Sequence, residues 1–254
     1  MKTDTNRQVA LITGANRGIG LQTAKDLGPD GVILLLGVRD LAKGKAAAET
    51  MRQEAFEAEA VHLHVTDTGT HGEVYDFIDR VFGRLDILVN NAAVCLESPA
   101  ASGSDPRGGQ PSRLSLETLR ETFETNFFGT VALTQKLLPL IRRSQAGRIV
   151  NVSSIMGSLT LHSDPSSPIY HVGMFAYNTS KAALNSFTLH LASELRDTSI
   201  KVNSAHPSWV KTEMGGENGD LEVSEGGKTS AWLARLPEDG PTGGYFHVGQ
   251  PLPW

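Results

Sequence analysis

Tyr177 and Lys181 stand four residues apart in the run AYNTSKAALNSF, whose composition is typical of a helix. Residues at i and i+4 lie on one helix face, so the spacing predicts a phenol beside an ammonium. A neighbouring positive charge favours the phenolate, and we therefore expect Lys181 to lower the pKa of Tyr177. A phenol tuned in this way exchanges a proton with a substrate oxygen. Because the same spacing also occurs on exposed helix faces without any chemical role, the pair needs a second motif.

A glycine-rich turn near the start of the chain supplies that motif. In VALITGANRGIG, an apolar strand-like run, Val9 to Ile12, precedes Gly14, Gly18 and Gly20, and the LQTAKDLG that follows is typical of a helix. Strand, glycine turn and helix open a nucleotide-binding βαβ unit, in which the backbone approaches a pyrophosphate at the helix N-terminus. The spacing is Gly-x-x-x-Gly-x-Gly, not the commoner Gly-x-Gly-x-x-Gly. An ordinary tight turn is the alternative, and the flanking elements favour cofactor binding over it.

The second strand-like run, Val32 to Leu36, ends beside the residues that select the cofactor. Arg39 lies about 20 residues beyond the glycine turn, where arginine accommodates the 2′-phosphate of NADP and an acidic residue bonds the ribose of NAD. Arg17, inside the turn, is a second candidate for the same phosphate. Asp40 is the competing signal, because it either faces the ribose or caps the next helix. We predict NADPH/NADP+ as the cofactor and NADH as the weaker alternative.

Five motifs in a fixed order resemble those of the classical short-chain dehydrogenase/reductase family over about residues 9 to 207. They are TGANRGIG, NNAA, ETNFFGT, NVSSIMG and Tyr-x-x-x-Lys. The resemblance implies one NAD(P)-binding domain over residues 1–254, an α/β Rossmann-type fold with a doubly wound parallel sheet and helices on both faces. The tail beyond Pro207 begins with WVKTEM and is similar to the carbonyl-reductase branch of the family.

The resemblance also implies a catalytic tetrad. Tyr177 is the general acid in carbonyl reduction, and Ser154 bonds the carbonyl oxygen. Lys181 holds the nicotinamide ribose, and Asn126 supports a water that links Lys181 to solvent. Ser153 competes for the role of Ser154, but only Ser154 stands three residues before a glycine, as the family pattern requires. The cofactor contacts implied are Gly14, Asn16, Arg17, Gly18, Ile19, Gly20, Arg39, Val65, Asn91, Ala92, Tyr177, Lys181, Pro207, Val210 and Thr212.

The chain departs from the family pattern at several positions. Residues 90–93 read NNAA where NNAG is common, and Pro207-Ser208 replaces the usual Pro-Gly. His64 stands where an Asp usually contacts the adenine, which leaves the backbone of Val65 for that contact. The stretch before the catalytic tyrosine is longer than in the shortest members. We expect this insertion, near residues 155–175, to build over the active-site mouth or the dimerising helices.

The expected substrate pocket is mostly apolar, which favours an aromatic or aliphatic carbonyl over a sugar. Lys211 is the one nearby cation that suits an acidic substrate. Residues 97–113 have the composition of a flexible loop at the carboxyl edge of the sheet, with a plain surface loop as the alternative. Residues near 207–254 are expected to form a lid and tail. The predicted pocket residues are Cys95, Leu96, Ile155, Met156, Trp209 and Met214.

Composition restricts the remaining classes. The net charge of −5, from 23 basic and 28 acidic residues, argues against nucleic-acid binding. A single cysteine rules out an internal disulfide. The polar N-terminal residues and the lack of a transmembrane run predict a cytoplasmic protein that does not bind membranes. His62 and His64 share one strand face without a third ligand, so no metal site is expected. A monomer and a homo-oligomer are both compatible with the sequence.

Three functions follow from these motifs. The leading hypothesis is an NADPH-dependent ketone or aldehyde reductase, which also oxidises alcohols in the reverse direction. An NAD-dependent alcohol or steroid-type dehydrogenase on the same fold is the second. The third is a non-catalytic dinucleotide-sensing regulator, which the presence of both Tyr177 and Lys181 disfavours.

Overall fold

The secondary structure alternates between strands and helices, as a computed structural model describing residues 7–97 and 109–254 shows. The strands are β1 Val9–Thr13, β2 Ile33–Val38, β3 Ala58–His62, β4 Ile87–Asn90, β5 Arg148–Val152, β6 Lys201–Ala205, β7 Tyr245–His247 and β8 Gln250–Pro251. The helices are α1 Gly18–Leu27, α2 Leu41–Gln53, α3 Thr68–Val81, α4 Leu116–Phe123, α5 Gly129–Ile141, α6 Leu159–Ser163, α7 Phe175–Glu194, α8 Val223–Gly226 and α9 Lys228–Ala234. A π-helical turn, Glu124–Phe128, joins α4 to α5, and 3₁₀ turns cover Gly28–Asp30 and Ile155–Gly157.

One sheet contains all of these strands, in the order β3-β2-β1-β4-β5-β6-β7-β8. Neighbouring strands are parallel except β7 and β8, which form an antiparallel pair at the edge. The chain winds outwards from β1 to β3 and then resumes at β4 on the other side of β1. The connections diverge between β1 and β4, and in open parallel sheets this point leaves a crevice at the carboxyl ends that binds ligands.

Both faces of the sheet are covered, because alternate residues of a strand point to opposite sides. Val9 and Leu11 pack in a core with α3, α5 and α7, whereas Ala10 and Ile12 pack in a second core with α1, α2 and α9. The predicted doubly wound α/β fold in a single domain is therefore confirmed.

Two details refine the sequence predictions. The apolar run Val32 to Leu36 predicts the second strand, which the structure has at Ile33–Val38. Most of the loop predicted at residues 97–113 lies outside the described residues. Within the ranges that the structure covers, every helix is too short or too polar to traverse a lipid bilayer.

Candidate active site

The glycine turn lies at the crevice between β1 and β4 and packs directly on the residue after β4. Gly18 has φ of +55°, in the left-handed region that favours glycine. At Gly20, a Cβ atom would lie 2.5 Å from Nδ2 of Asn91 and 2.7 Å from the carbonyl oxygen of Gly14. Only glycine therefore lets α1 begin this close to the strand end.

Thr13, the last residue of β1, fixes the same crevice. Its Oγ1 accepts hydrogen bonds from the backbone N–H groups of Asn91 and Ala92, both at 2.9 Å. Asn91 in turn donates from Nδ2 to the Thr13 carbonyl at 2.8 Å. Two predicted cofactor residues, Asn91 and Ala92, are thus held against the glycine turn.

The N-terminus of α1 is suited to an anionic ligand. The N-cap side chains of α2, α3 and α4 each accept a backbone N–H, but Arg17, the N-cap of α1, provides no such cap. The first N–H groups of a helix lack intrahelical partners, and the helix dipole favours negative charge there. Because Gly14, Gly18 and Gly20 place no side chains at three positions of the turn, these groups fit the pyrophosphate of a dinucleotide.

The end of β2 resolves one ambiguity in the sequence. Oδ1 of Asp40 accepts the N–H of Lys43 at 3.1 Å, so Asp40 caps α2. Arg39, at the strand end, is exposed. Arg17 is also exposed, and its guanidinium forms an ion pair with Glu213.

The residues after β3 form the region predicted to meet the adenine. Nδ1 of His64 lies 2.8 Å from Oγ1 of Thr66, and the His64 N–H donates to Oγ1 of Thr70 at 3.1 Å. Val65 is buried, and its carbonyl oxygen lies 3.0 Å from Nε2 of His71. The Val65 carbonyl therefore already has a partner.

Ser154 and Tyr177 are brought together by different elements. Ser154 follows β5 and is the N-cap of the 3₁₀ turn, where Oγ accepts the N–H of Met156 at 3.3 Å. Its side chain also hydrogen-bonds Tyr177, which lies in the first turn of α7. Ser153 is buried, and its hydroxyl has no hydrogen-bond partner within the described residues. This arrangement supports Ser154 over Ser153 as the serine that acts with the phenol.

Lys181 lies one helical turn beyond Tyr177, with Nζ 5.6 Å from the centre of the phenol ring. Nζ donates to the carbonyl of Val152 at 2.8 Å, and burial lowers the pKa of this ammonium to about 8. Burial, followed by the electrostatic influence of Cys95, raises the pKa of Tyr177 above its usual value, and the hydrogen bond with Ser154 only partly opposes this. The expected lowering of the Tyr177 pKa by Lys181 is therefore not found, because desolvation of the phenol outweighs every other influence.

Asn126 sits inside the π-helical turn between α4 and α5. Its Oδ1 accepts the N–H of Val94, and its Nδ2 donates to the Val94 carbonyl, both at 2.8 Å. Nδ2 also donates to Oγ of Ser180 at 3.0 Å. Asn126 thereby links the segment after β4 to α7, beside Tyr177 and Lys181. Such π-helical turns are frequent at functional sites.

Two further residues, Glu97 and His206, hold the site together, and the sequence motifs do not predict either of them. Oε2 of Glu97 accepts the backbone N–H of Tyr177 at 2.8 Å. Nδ1 of His206 accepts the N–H of Ile155 at 3.2 Å, and burial lowers the pKa of His206 to about 3. Glu97 lies in a stretch without periodicity, so no sequence pattern indicates its role. His206 directly precedes Pro207, a predicted cofactor residue, and this position could have indicated that His206 lies at the site.

The predicted pocket residues lie around this centre to different degrees. Sγ of Cys95 is 3.7 Å from Sδ of Met174, and Cys95 interacts electrostatically with both Tyr177 and Lys181. Trp209 is 51% exposed and Met214 is 39% exposed, so both lie at the rim. The remaining three are half-buried: Leu96, Ile155 and Met156.

The insertion and the segment after β6 frame the site. Residues 155–175 comprise a 3₁₀ turn, α6 and further turns, and they pack beside the start of α7, where Nδ2 of Asn178 donates to the Val172 carbonyl at 3.1 Å. After β6, Pro207 is buried and Ser208 has φ of +74°. This left-handed backbone explains why glycine is usual at the position of Ser208.

Comparisons with known proteins agree with this geometry. A family model described as short chain dehydrogenase matches residues 8–222. Salutaridine reductase from Papaver somniferum is 32% identical over 305 residues, covering 98% of this chain and 96% of that protein. Carbonyl reductase [NADPH] 1 from Sus scrofa is 30% identical over 290 residues, covering 98% and 95%. The solved structure of the carbonyl reductase Sniffer of D. melanogaster superposes with a TM-score of 0.82 at 28% identity, covering 98% of this chain and all of that one.

Proposed function

Because the chain belongs to the short-chain dehydrogenase family, we propose that it is an NADPH-dependent carbonyl reductase. It reduces ketones or aldehydes and oxidises the corresponding alcohols in the reverse direction. The family and the relatives establish an oxidoreductase that acts on CH–OH or C=O groups. The observation that supports the finer assignment is the hydrogen bond between Ser154 and Tyr177 beside the buried Lys181.

Tyr177 acts as the proton donor to the carbonyl oxygen. Its raised pKa keeps the phenol protonated at neutral pH, which is the state that a general acid requires. The Ser154 hydroxyl is within reach of the same oxygen and stabilises the negative charge that develops on it. Lys181, with a pKa of about 8, is mostly protonated at pH 7 and presents positive charge behind the phenol. Bound NADPH supplies the hydride to the carbonyl carbon.

The cofactor preference rests on charge at the glycine turn and the end of β2. Arg39 and Arg17 are both exposed there and suit a 2′-phosphate, while Asp40 is engaged in capping α2. The name of the Sus scrofa relative includes NADPH, which favours the same preference. An NAD-dependent dehydrogenase remains the second candidate only if Asp40 leaves its cap to face the ribose.

The substrate that fits best is a neutral aromatic or aliphatic carbonyl compound. Cys95, Met174 and Trp209 give the mouth of the site an apolar character. Lys211 does not offer a separate cation to an acidic substrate, since its Nζ lies 2.5 Å from Oε1 of Glu222.

A panel of neutral ketones and aldehydes, assayed by the loss of NADPH absorbance, tests the activity. Tyr177→Phe should reduce kcat by about 10²–10⁴-fold, while the NADPH dissociation constant stays near that of wild type. Tyr75→Phe is the matched control, because Tyr75 lies on α3 against Lys136 and has no place in the site. A Tyr177→Phe enzyme that keeps more than about a tenth of the wild-type rate contradicts the general-acid role. Cofactor binding without turnover on any compound supports the sensor function instead.

Fluorescence titration with NADPH and NADH tests the cofactor. A hydrogen bond to a charged group contributes roughly 1.5–3 kcal/mol, so Arg39→Ala should weaken NADPH about tenfold or more and leave NADH little changed. Wild-type preference for NADH, together with an equal effect of Arg39→Ala on both cofactors, assigns the ribose contact to Asp40.

A further inference from the structure

Arg17, the arginine of the glycine turn, is already paired with an acidic side chain. Glu213 belongs to the residues between β6 and α8, here called the capping segment, residues 207–222. Its carboxylate forms an ion pair with Nη1 of Arg17, and the two side chains are 71% and 61% exposed. The pair bridges two regions that are separated widely in sequence.

The capping segment is fixed in a way that directs Glu213 toward the turn. The Lys211 N–H donates to the Leu221 carbonyl at 2.9 Å, and the Leu221 N–H donates to the Trp209 carbonyl at 3.1 Å. Thr212 covers the glycine turn, since its Cγ2 lies 3.5 Å from the position of a Cβ atom on Gly18. Glu213 follows Thr212 directly. The position of the backbone therefore places its carboxylate near Arg17, and charge attraction acts in addition.

We propose that Glu213 reduces the preference for 2′-phosphorylated cofactors by competing with the 2′-phosphate for Arg17. This inference rests on the proposed function, in which Arg17 and Arg39 bind that phosphate. A 2′-phosphate must displace the Glu213 carboxylate from Arg17 or bind beside a like charge. NADH and other ligands without a 2′-phosphate leave the ion pair intact. Glu213 therefore weakens the binding of 2′-phosphorylated ligands selectively.

The expected effect is modest, because the ion pair is exposed. Exposed pairs contribute little to stability, whereas a phosphate carries nearly two negative charges and accepts bidentate bonds from arginine. The phosphate therefore prevails over the carboxylate, and Glu213 reduces its affinity without preventing binding. Removal of the Glu213 charge should tighten binding by about two- to fivefold at low salt, and the gain should shrink as salt screens exposed charges.

Calorimetric titration with 2′,5′-ADP and 5′-AMP measures this effect without turnover. Glu213→Gln should bind 2′,5′-ADP about two- to fivefold more tightly than wild type does, with no change for 5′-AMP. Glu217→Gln is the matched control, because Glu217 lines the same surface cleft as Glu213 on the capping segment and its loss removes an equal charge. Equal tightening in both variants means a general charge effect and overturns the proposal, as does an unchanged ratio of the two affinities in Glu213→Gln.

The Arg17→Ala background separates this proposal from the one on which it rests. If Glu213 acts through Arg17, Glu213→Gln has no effect on 2′,5′-ADP binding once Arg17 is alanine. A persistent gain in that background overturns the competition. Failure of the proposed cofactor preference has a different signature, because wild-type protein then binds 2′,5′-ADP no more tightly than 5′-AMP.

Discussion

The two adjacent serines after β5 have the same chemistry and different surroundings. Ser154 bonds Tyr177, whereas the buried Ser153 hydroxyl has no partner among the described residues. We expect Ser154→Ala to lower kcat by about 10²–10³-fold, the range for loss of one oxyanion donor. Ser153→Ala should leave kcat near wild type, because it removes only a buried hydroxyl. Steady-state rates decide the matter, and a larger loss in Ser153→Ala contradicts the assignment.

Lys181→Met should shift the pH dependence of alcohol oxidation upward and weaken cofactor binding. Burial dominates the pKa of Tyr177, but we expect the Lys181 cation, present below its pKa of about 8, to oppose that rise and to favour the phenolate that oxidation requires. Without that charge, the apparent pKa of Tyr177 rises, so the oxidation rate reaches its plateau at higher pH. Rate profiles against pH, with NADP+ dissociation constants, measure both effects.

Lys136→Met is a matched control for that experiment. Lys136 also lies over a tyrosine ring, with Nζ 4.8 Å from the centre of the Tyr75 ring. It belongs to α5 and lies away from the active site. Its substitution should leave the profile unchanged. If the Lys181→Met profile and cofactor affinity both match wild type, Lys181 returns to a structural role.

At the scale of elements, helix α7 presents Tyr177 and Lys181 only if its first turn is held in place. Its N-cap residue, Met174, makes no side-chain cap, and Glu97 accepts the Tyr177 N–H in its stead. Glu97→Ala should destabilise the fold by about 0.5–2 kcal/mol, the usual effect of losing a cap, and lower kcat. Glu97→Gln retains an acceptor and should recover most of both. Urea unfolding and turnover rates test this, and an alanine variant with wild-type values of both contradicts it.

The sequence predicted the elements of the site better than their connections. Local spacing is enough to locate the glycine turn and the Tyr177–Lys181 pair, because neighbours in a turn or on a helix face are fixed by backbone geometry. The contact between Glu97 and Tyr177 joins residues 80 positions apart, and no periodicity encodes it. The prediction that the Tyr177 pKa is lowered was wrong for the same reason, since burial, which raises this pKa, is a property of the assembled fold.

At the scale of the whole molecule, buried histidines make stability depend on pH. Burial lowers the pKa of His206 from 6.5 to about 3, so the unfolded chain binds a proton that the folded chain refuses between these values. The contribution is complete above pH 6.5 and is lost as pH falls toward 3, by up to about 1.4 kcal/mol per pH unit. Burial also lowers the pKa of His71, which acts in the same direction.

His206→Asn should therefore flatten the acid side of the stability profile. Asparagine retains an acceptor for the Ile155 N–H but does not titrate. Melting temperatures between about pH 4 and 7 should fall less steeply in this variant than in wild type. The exposed His62→Asn is the control and should keep the wild-type slope. An identical slope in His206→Asn and wild type counts against the assignment.

The doubly wound sheet followed from the alternation of apolar runs and helix-like stretches, because both faces of a parallel sheet must be covered. The antiparallel strand β8 did not follow from it, since an edge strand of two residues, Gln250–Pro251, has no periodicity of its own. A chain of side-chain hydrogen bonds across the central strands was equally hidden. It runs from Asn90 through Asn151 and Thr188 to Ser204, with successive distances of 2.8, 2.9 and 2.9 Å.

The π-helical turn at Glu124–Phe128 has a consequence for insertions and deletions. A π-helical turn accommodates one residue more than an α-helical turn, so the helix from α4 to α5 carries an extra residue at Asn126. Deleting one residue there would convert the wide turn into an ordinary α-helical turn, so α4 and α5 would keep their faces and only the residues of the turn itself would change position. The continuous helix would be the more regular one, yet Asn126 would no longer face Val94. Length in this stretch is therefore constrained as tightly as residue identity.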